Sequence, residues 1–270
     1  MSARPQRHYK LEDGSRYPSV TTILDAFARP GLTSWAAQRE REMVIQVAAQ
    51  LAAQGSGFTP IGFRTLLEGQ LPARSSADAR LQHTAEIGNA VHTAIHRTLL
   101  LESGRPAPPP IQLQGEAAMA FMSFCAWRAS VSLEIRFVES PVWSKEFGYA
   151  GTCDFFGYVN GVPTCIDWKT SNRIYPVQVL QVAAYTQALQ EMGHAPADTE
   201  AMALSFPREG GEPHSRTLKP AELPEAIRTF ACLQQVWRWG FADPEPEPLP
   251  TVAPQAIPTV EHANVFSFGR

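Results

Sequence analysis

The Asn160-Gly161 pair is the feature that most restricts how this chain can fold. It interrupts GYAGTCDFFGYVNGVPTCIDWKTS, a run from Gly148 to Ser171 that is otherwise rich in β-branched, aromatic and small residues. Asn-Gly between alternating segments is the strongest local signal for a two-residue β-hairpin turn. With Val159 facing Val162, regular pairing sets Asp154 directly opposite Asp167. Opposed residues in such a ladder have Cβ atoms about 5 Å apart. Lys169 lies two residues beyond Asp167 and shares its face, because strand side chains alternate. Without a bulge, all three charges gather at one end of one face. The other face carries Cys153, Phe155, Val159, Val162, Ile166 and Trp168, an apolar side to lay against a helix. Cys153 and Cys165 fall on opposite faces in this register, which weighs against a disulfide between them.

Two carboxylates facing each other repel and destabilise a sheet. One reading is a structural ion cluster neutralised by Lys169. A single lysine leaves that cluster one positive charge short. The other reading supplies the charge as a divalent cation, since hard cations take carboxylate oxygens. A lysine beside such a cation can orient or help deprotonate an attacking water and offset developing negative charge. Metal, water and lysine together are equipment for in-line attack on a phosphodiester.

A short extended entry and then a helix are expected over 17–28, with Ser19, Thr21 or Thr22 as the cap, and helices over 34–54, 78–103 and 112–130. A small helix is expected between loops in 55–80. Residues 133–145 alternate and read as a strand, followed by the two hairpin strands. Residues 176–192 read as a helix with Pro176 in its first turn and Gly193 after its end. A strand over 199–206 and a helix over 220–239 complete the body. The element order implies an α/β core preceded by a helical N-terminal half. The expected organisation is one domain over 1–242, with a helical half over 17–130 and a core over 78–240. DPEPEPLPTVAPQAIP opens a stiff, proline-rich tail over 243–270.

The pattern Gly151, Asp154, Asp167, Lys169, Thr170, Ser171 resembles the PD-(D/E)xK nuclease superfamily, and is most similar to its RecB-like exonuclease branch. That branch includes phage-type exonucleases and the mitochondrial genome maintenance exonuclease. Its helix motif G-x-x-x-H has a counterpart in Gly88 and His92. Its Q-x-x-x-Y motif has one in Gln181 and Tyr185, and Glu139 is the candidate for its upstream acid. YPSVTTIL near the start is similar to its N-terminal segment. The likeness spans about residues 17–206.

This resemblance implies a restriction-endonuclease-like fold, a central mixed β-sheet flanked by helices. It implies a DNA exonuclease in which Asp154, Asp167, His92 and the Trp168 backbone carbonyl hold Mg²⁺ or Mn²⁺. Lys169 would act on the nucleophilic water. Gln181 and Tyr185 would face the active site and the DNA strand. Arg97, Thr170, Ser171 and Arg173 are the candidates for phosphate contacts. His96, one turn from His92, is not used by the branch.

The cysteines Cys125, Cys153, Cys165 and Cys232 do not follow the branch's iron–sulfur pattern, so no cluster is expected. No C-x-x-C spacing or nucleotide-binding G-x-x-x-x-G-K-[ST] loop is present, so no ATP is expected. No secretory h-region or membrane-spanning run is read, and four reduced thiols fit a cytoplasmic setting, bacterial or phage-encoded, with the mitochondrial matrix still open. With a net charge of -3, DNA contact must come from a local patch. The expected partner is DNA, single-stranded or with free ends, and the tail is a candidate for recruiting a replication or recombination protein. Two alternatives stand beside the exonuclease. One is a catalytically silent DNA-binding or replication-partner module on the same fold, and the other is a structure-specific endonuclease.

Overall fold

A computed structural model describes residues 8–27, 30–54, 59–71 and 75–240. The proline-rich tail expected over 243–270 lies outside the described residues. A short antiparallel pair, β1 (His8–Lys10) and β2 (Arg16–Pro18), leads into α1 (Val20–Leu24). Ser19 caps α1, its Oγ accepting from the Thr22 N–H at 3.0 Å. Then come α2 (Pro30–Ala53), α3 (Pro60–Gln70), α4 (Ser76–Glu102) and α5 (Gly115–Ser130).

The core follows as β3 (Leu133–Ser144), β4 (Tyr149–Val159), β5 (Val162–Lys169), α6 (Pro176–Glu191), β6 (Glu200–Ser205), β7 (His214–Leu218) and α7 (Leu223–Gly240). The last five strands form one mixed sheet in chain order, antiparallel except for the parallel β5–β6 pair. The long connection through α6 makes that parallel pairing feasible. The architecture is therefore α/β. Three strands carry little sequence signal. β1 and β2 are only three residues each, and β7 is a mostly exposed, polar edge strand without hydrophobic alternation.

Both faces of the sheet are covered. α1, α6 and α7 pack over Tyr149, Cys153, Phe156 and Cys165 on one side. On the other, α4 and α5 cover Val138, Phe155, Ile166, Trp168 and Leu204. Burial on both faces explains why β4 and β5 read as nearly continuous apolar runs. The Trp168 ring sits among Phe124, Trp127, Phe155 and Phe206, with centroids about 5.6 to 6.1 Å away. The contacts with Phe124 and Trp127 are edge-to-face and the other two tilted, and together they hold the β5 backbone on either side of the indole.

The hairpin turn is as expected. Asn160 and Gly161 both have positive φ, 51° and 81°, and Val159 pairs with Val162. The ladder runs regularly to Phe155–Ile166 and ends there. Beyond it, the Asp154 side chain takes the place of a backbone partner, its Oδ2 accepting from the Trp168 N–H at 2.8 Å. β4 and β5 part at this point. The break shifts the side-chain parity of β4, so Cys153 and Phe156 lie in the same cluster. The expectation that Cys153 and Cys165 occupy opposite faces is thereby corrected. Their sulfurs lie 3.5 Å apart as free, buried thiols. Cys153 leaves the expected apolar face, and Val162 is exposed at the turn.

Candidate metal centre

The parting of β4 from β5 opens a cleft of about 850 Å³. α4 forms one wall, through Gly88, Asn89 and His92, and α6 another, through Gln181 and Tyr185. Asp154, Asp167, Lys169 and Thr170 lie between them. The three charges of the hairpin all line the cleft, but Asp154 and Asp167 are not the directly opposed pair that a regular hairpin would make, because the ladder ends one residue short of them.

Their grouping is finer than the sequence suggested. Ligand atoms of His92, Glu139 and Asp154 lie within 4.8 Å of one another. His92 Nδ1 is 3.6 Å from Asp154 Oδ2 and 3.8 Å from a Glu139 oxygen. Its other nitrogen, Nε2, is 2.9 Å from the Trp168 carbonyl. A carbonyl only accepts, so Nε2 carries the hydrogen. In the neutral ring Nδ1 is then a bare lone pair aimed at two carboxylates. That arrangement calls for a cation, either a proton or a metal. The Trp168 carbonyl, expected as a metal ligand, lies at the same place and within hydrogen-bond reach of the imidazole.

Asp167 is 1% exposed and ion-paired to Lys169. Among the described residues that ammonium is the one close partner of its carboxylate, whose oxygens accept from no other group. A buried carboxylate with so few partners is costly, so this group also fits a cation-binding role.

The electrostatics agree. Burial pushes the Asp154 carboxyl up to about 7, with Asp167 adding to the rise and His92 opposing it. Burial lowers the His92 imidazole, but the carboxylates of Asp154 and Glu139 beside it outweigh that, and the net shift is upward. The Tyr185 phenol is held well above its ordinary value by burial and by both aspartates, so it stays protonated. Gln181 Nε2 donates to its oxygen at 3.0 Å. The Tyr185 ring packs directly on Gly151, where a Cβ would collide with it. That contact gives the Gly151 of the motif a physical reason.

Of the expected site residues, Glu139 has the closest competitors in sequence, Glu134 and Glu146. Only Glu139 of the three lines the cleft. It has a φ of 48° in the middle of β3, a left-handed conformation that a glutamate adopts at a cost. Such strain concentrates at functional sites. Glu139→Gly should relieve about 1 kcal/mol of backbone strain. We expect this variant to melt no lower than the wild type without metal, yet to bind Mn²⁺ at least tenfold more weakly. Calorimetry of both properties checks it, and unchanged Mn²⁺ affinity would remove Glu139 from the ligand set.

The proposed phosphate contacts divide. Thr170 lines the cleft. Ser171 Oγ donates to the Arg173 carbonyl, and the Arg173 guanidinium lies over the Tyr175 ring. Arg97 Nε donates to the Pro108 carbonyl, and Arg97 is not among the residues that line the cleft. His96, outside the branch's motif, lines the cleft, as do Tyr9 and Thr152, whose hydroxyls are 3.1 Å apart. No sequence pattern marked Tyr9 or Thr152, because a three-residue strand brings one of them in from far along the chain.

No protein-family model matches the chain, and no curated protein matches it either. Among the described residues no helix is long and apolar enough to cross a membrane.

Proposed function

We propose that this protein is a metal-dependent deoxyribonuclease of the PD-(D/E)xK type, acting from strand ends. The observation that carries the reading is one open cleft with two linked features. Three ligand groups converge on a point, and beside them a buried carboxylate is held by a lysine alone. The mixed sheet flanked by helices is compatible with a restriction-endonuclease-like core.

In this reading His92, Glu139, Asp154 and Asp167 hold Mg²⁺ or Mn²⁺. The cation, when bound, acidifies a water and neutralises charge on the scissile phosphate. Trp168 fixes the imidazole through its carbonyl, and its ring anchors the strand that displays Asp167 and Lys169. The Lys169 side chain is 19% exposed, so it reaches the cleft while staying largely out of water. There it orients the nucleophile and stabilises charge as the phosphorane-like state develops. Tyr185, protonated and held by Gln181, offers a hydroxyl to the same space.

The test uses end-labelled single-stranded and duplex DNA and closed circular DNA, each with Mg²⁺, Mn²⁺ or EDTA. Metal-dependent shortening from one end, with circles left intact, supports the exonuclease. Cutting of circles makes it an endonuclease. DNA binding without cleavage under any metal turns the reading to a silent binding module.

A further inference from the structure

We infer that the cleft continues along α4 into a phosphate-binding subsite, built by Arg208 with Arg80 beside it, that holds the backbone of single-stranded DNA. The inference rests on the nuclease reading above and adds a path for the substrate strand.

Four-residue spacing puts Thr84, Gly88 and His92 on one side of α4. Gly88 and His92 line the cleft, as does Ala85 next to Thr84. Arg208 Nη1 donates to Thr84 Oγ1 at 2.9 Å, so the guanidinium sits where this wall continues. Thr84 precedes His92 by eight residues, about 12 Å of helix at 1.5 Å per residue. That separation is about three to four nucleotides at 3.4 Å per nucleotide of a stacked strand.

The local charge is unbalanced. Arg80 and Arg208 share a single carboxylate, Glu116, at 3.4 and 3.7 Å. Buried Nε of Arg208 has no hydrogen-bond partner, and neither has buried Oε2 of Glu116. A guanidinium has five donors in a planar fork suited to phosphate. Here Nη1 faces Thr84 and Glu116 and Nε is buried, so a phosphate would be met by the exposed end of the fork, on a side chain that is 19% exposed.

Arg208 is also tied mechanically to the reaction centre. Ser205 pairs with Lys169 in the β5–β6 ladder, and the Phe206 N–H donates to the Lys169 carbonyl at 2.8 Å. Two residues further, the chain presents Arg208. One ladder therefore sets both the lysine and the arginine, and a phosphate gripped at one fixes the strand relative to the other. The chain's overall charge of -3 makes such a local anchor necessary.

The experiment measures binding of a short fluorescein-labelled single-stranded DNA by anisotropy, in EDTA, over a range of salt. Arg208→Gln should weaken binding about 3- to 10-fold and lower the salt slope by about 0.7, the value for one phosphate on a single strand. Arg228→Gln, on the exposed side of α7, should change neither. Glu116→Gln should tighten binding about 2- to 5-fold by freeing both arginines. A merely structural network predicts the reverse sign for Glu116→Gln, so the outcome does not depend on how well Arg208→Gln folds. Unchanged affinity and slope in Arg208→Gln, or weaker binding in Glu116→Gln, overturns the inference. Cleavage by the wild type in Mn²⁺ is scored separately. If cleavage stands and the arginine effects do not, only the subsite falls. If the wild type neither binds nor cuts, both readings fall.

Discussion

Lys169→Ala should reduce metal-dependent hydrolysis of DNA by about 10³-fold or more while leaving metal binding intact. Removing one positioned charge-stabilising donor typically costs 10²–10³ in rate, and loss of a proton-transfer partner costs about 10²–10⁴. Among the described residues, Lys169 is the one cation paired with the buried Asp167. Deleting it leaves that carboxylate uncompensated, which in a buried pair costs about 3–5 kcal/mol. The metal-free variant should therefore melt well below the wild type, and Mn²⁺ should restore most of the loss by replacing the lost charge. Single-turnover cleavage and thermal unfolding, each with Mn²⁺ and with EDTA, separate the two effects. If cleavage by the variant matches the wild type in Mn²⁺, Lys169 only neutralises Asp167, and the structural ion cluster becomes the better description.

Much of this centre was legible because it rests on local rules. Asn160 and Gly161 set the turn, and the turn sets the register as far as Phe155 and Ile166, next to Asp154 and Asp167, which with Lys169 line one cleft. His92 and Gln181 were marked only by the resemblance, and both line the walls of that cleft. What could not be read was the place where the ladder gives way. A regular hairpin would continue its backbone pairing through Asp154 and Asp167. Instead the Asp154 carboxylate takes the Trp168 N–H, and the strands separate. That exchange depends on the burial of Trp168 among rings from α5 and from the segment after β6, which is tertiary information. The same break put Cys153 next to Cys165 and moved Asp154 into the group of Glu139 and His92. The strained backbone of Glu139 and the arrival of Arg208 beside α4 are likewise products of packing between distant segments.

The structural-cluster and metal-site readings also part on Asp154→Asn. Asparagine keeps an oxygen to accept the Trp168 N–H, so the split between the strands survives, but the negative charge is gone. In the wild type the Asp154 carboxyl titrates at about 7 in the folded state, against 3.8 for an ordinary aspartate. Between those values the folded protein binds more protons than the unfolded chain, so stability falls as pH rises through this window. His92 acts in the same direction: its folded-state value is raised, so the stability it contributes is present below about 6.5 and is lost as pH climbs past the folded value. Metal-free wild type should therefore lose about 1–4 kcal/mol between pH 4 and pH 7, each tenfold difference in proton affinity being worth about 1.36 kcal/mol. Asp154→Asn should flatten most of this dependence and be the more stable protein at pH 7 without metal. The same substitution should weaken Mn²⁺ binding by at least 10²-fold, since it removes the carboxylate nearest His92 Nδ1. Wild-type affinity for Mn²⁺ should also rise with pH and binding should release protons, visible as a buffer-dependent heat in calorimetry. A structural cluster requires the opposite: Asp154→Asn would lower stability at every pH, and Mn²⁺ would change nothing. A gain in metal-free stability coupled to loss of metal affinity is what a site held together for its chemistry, against its own electrostatic repulsion, has to show.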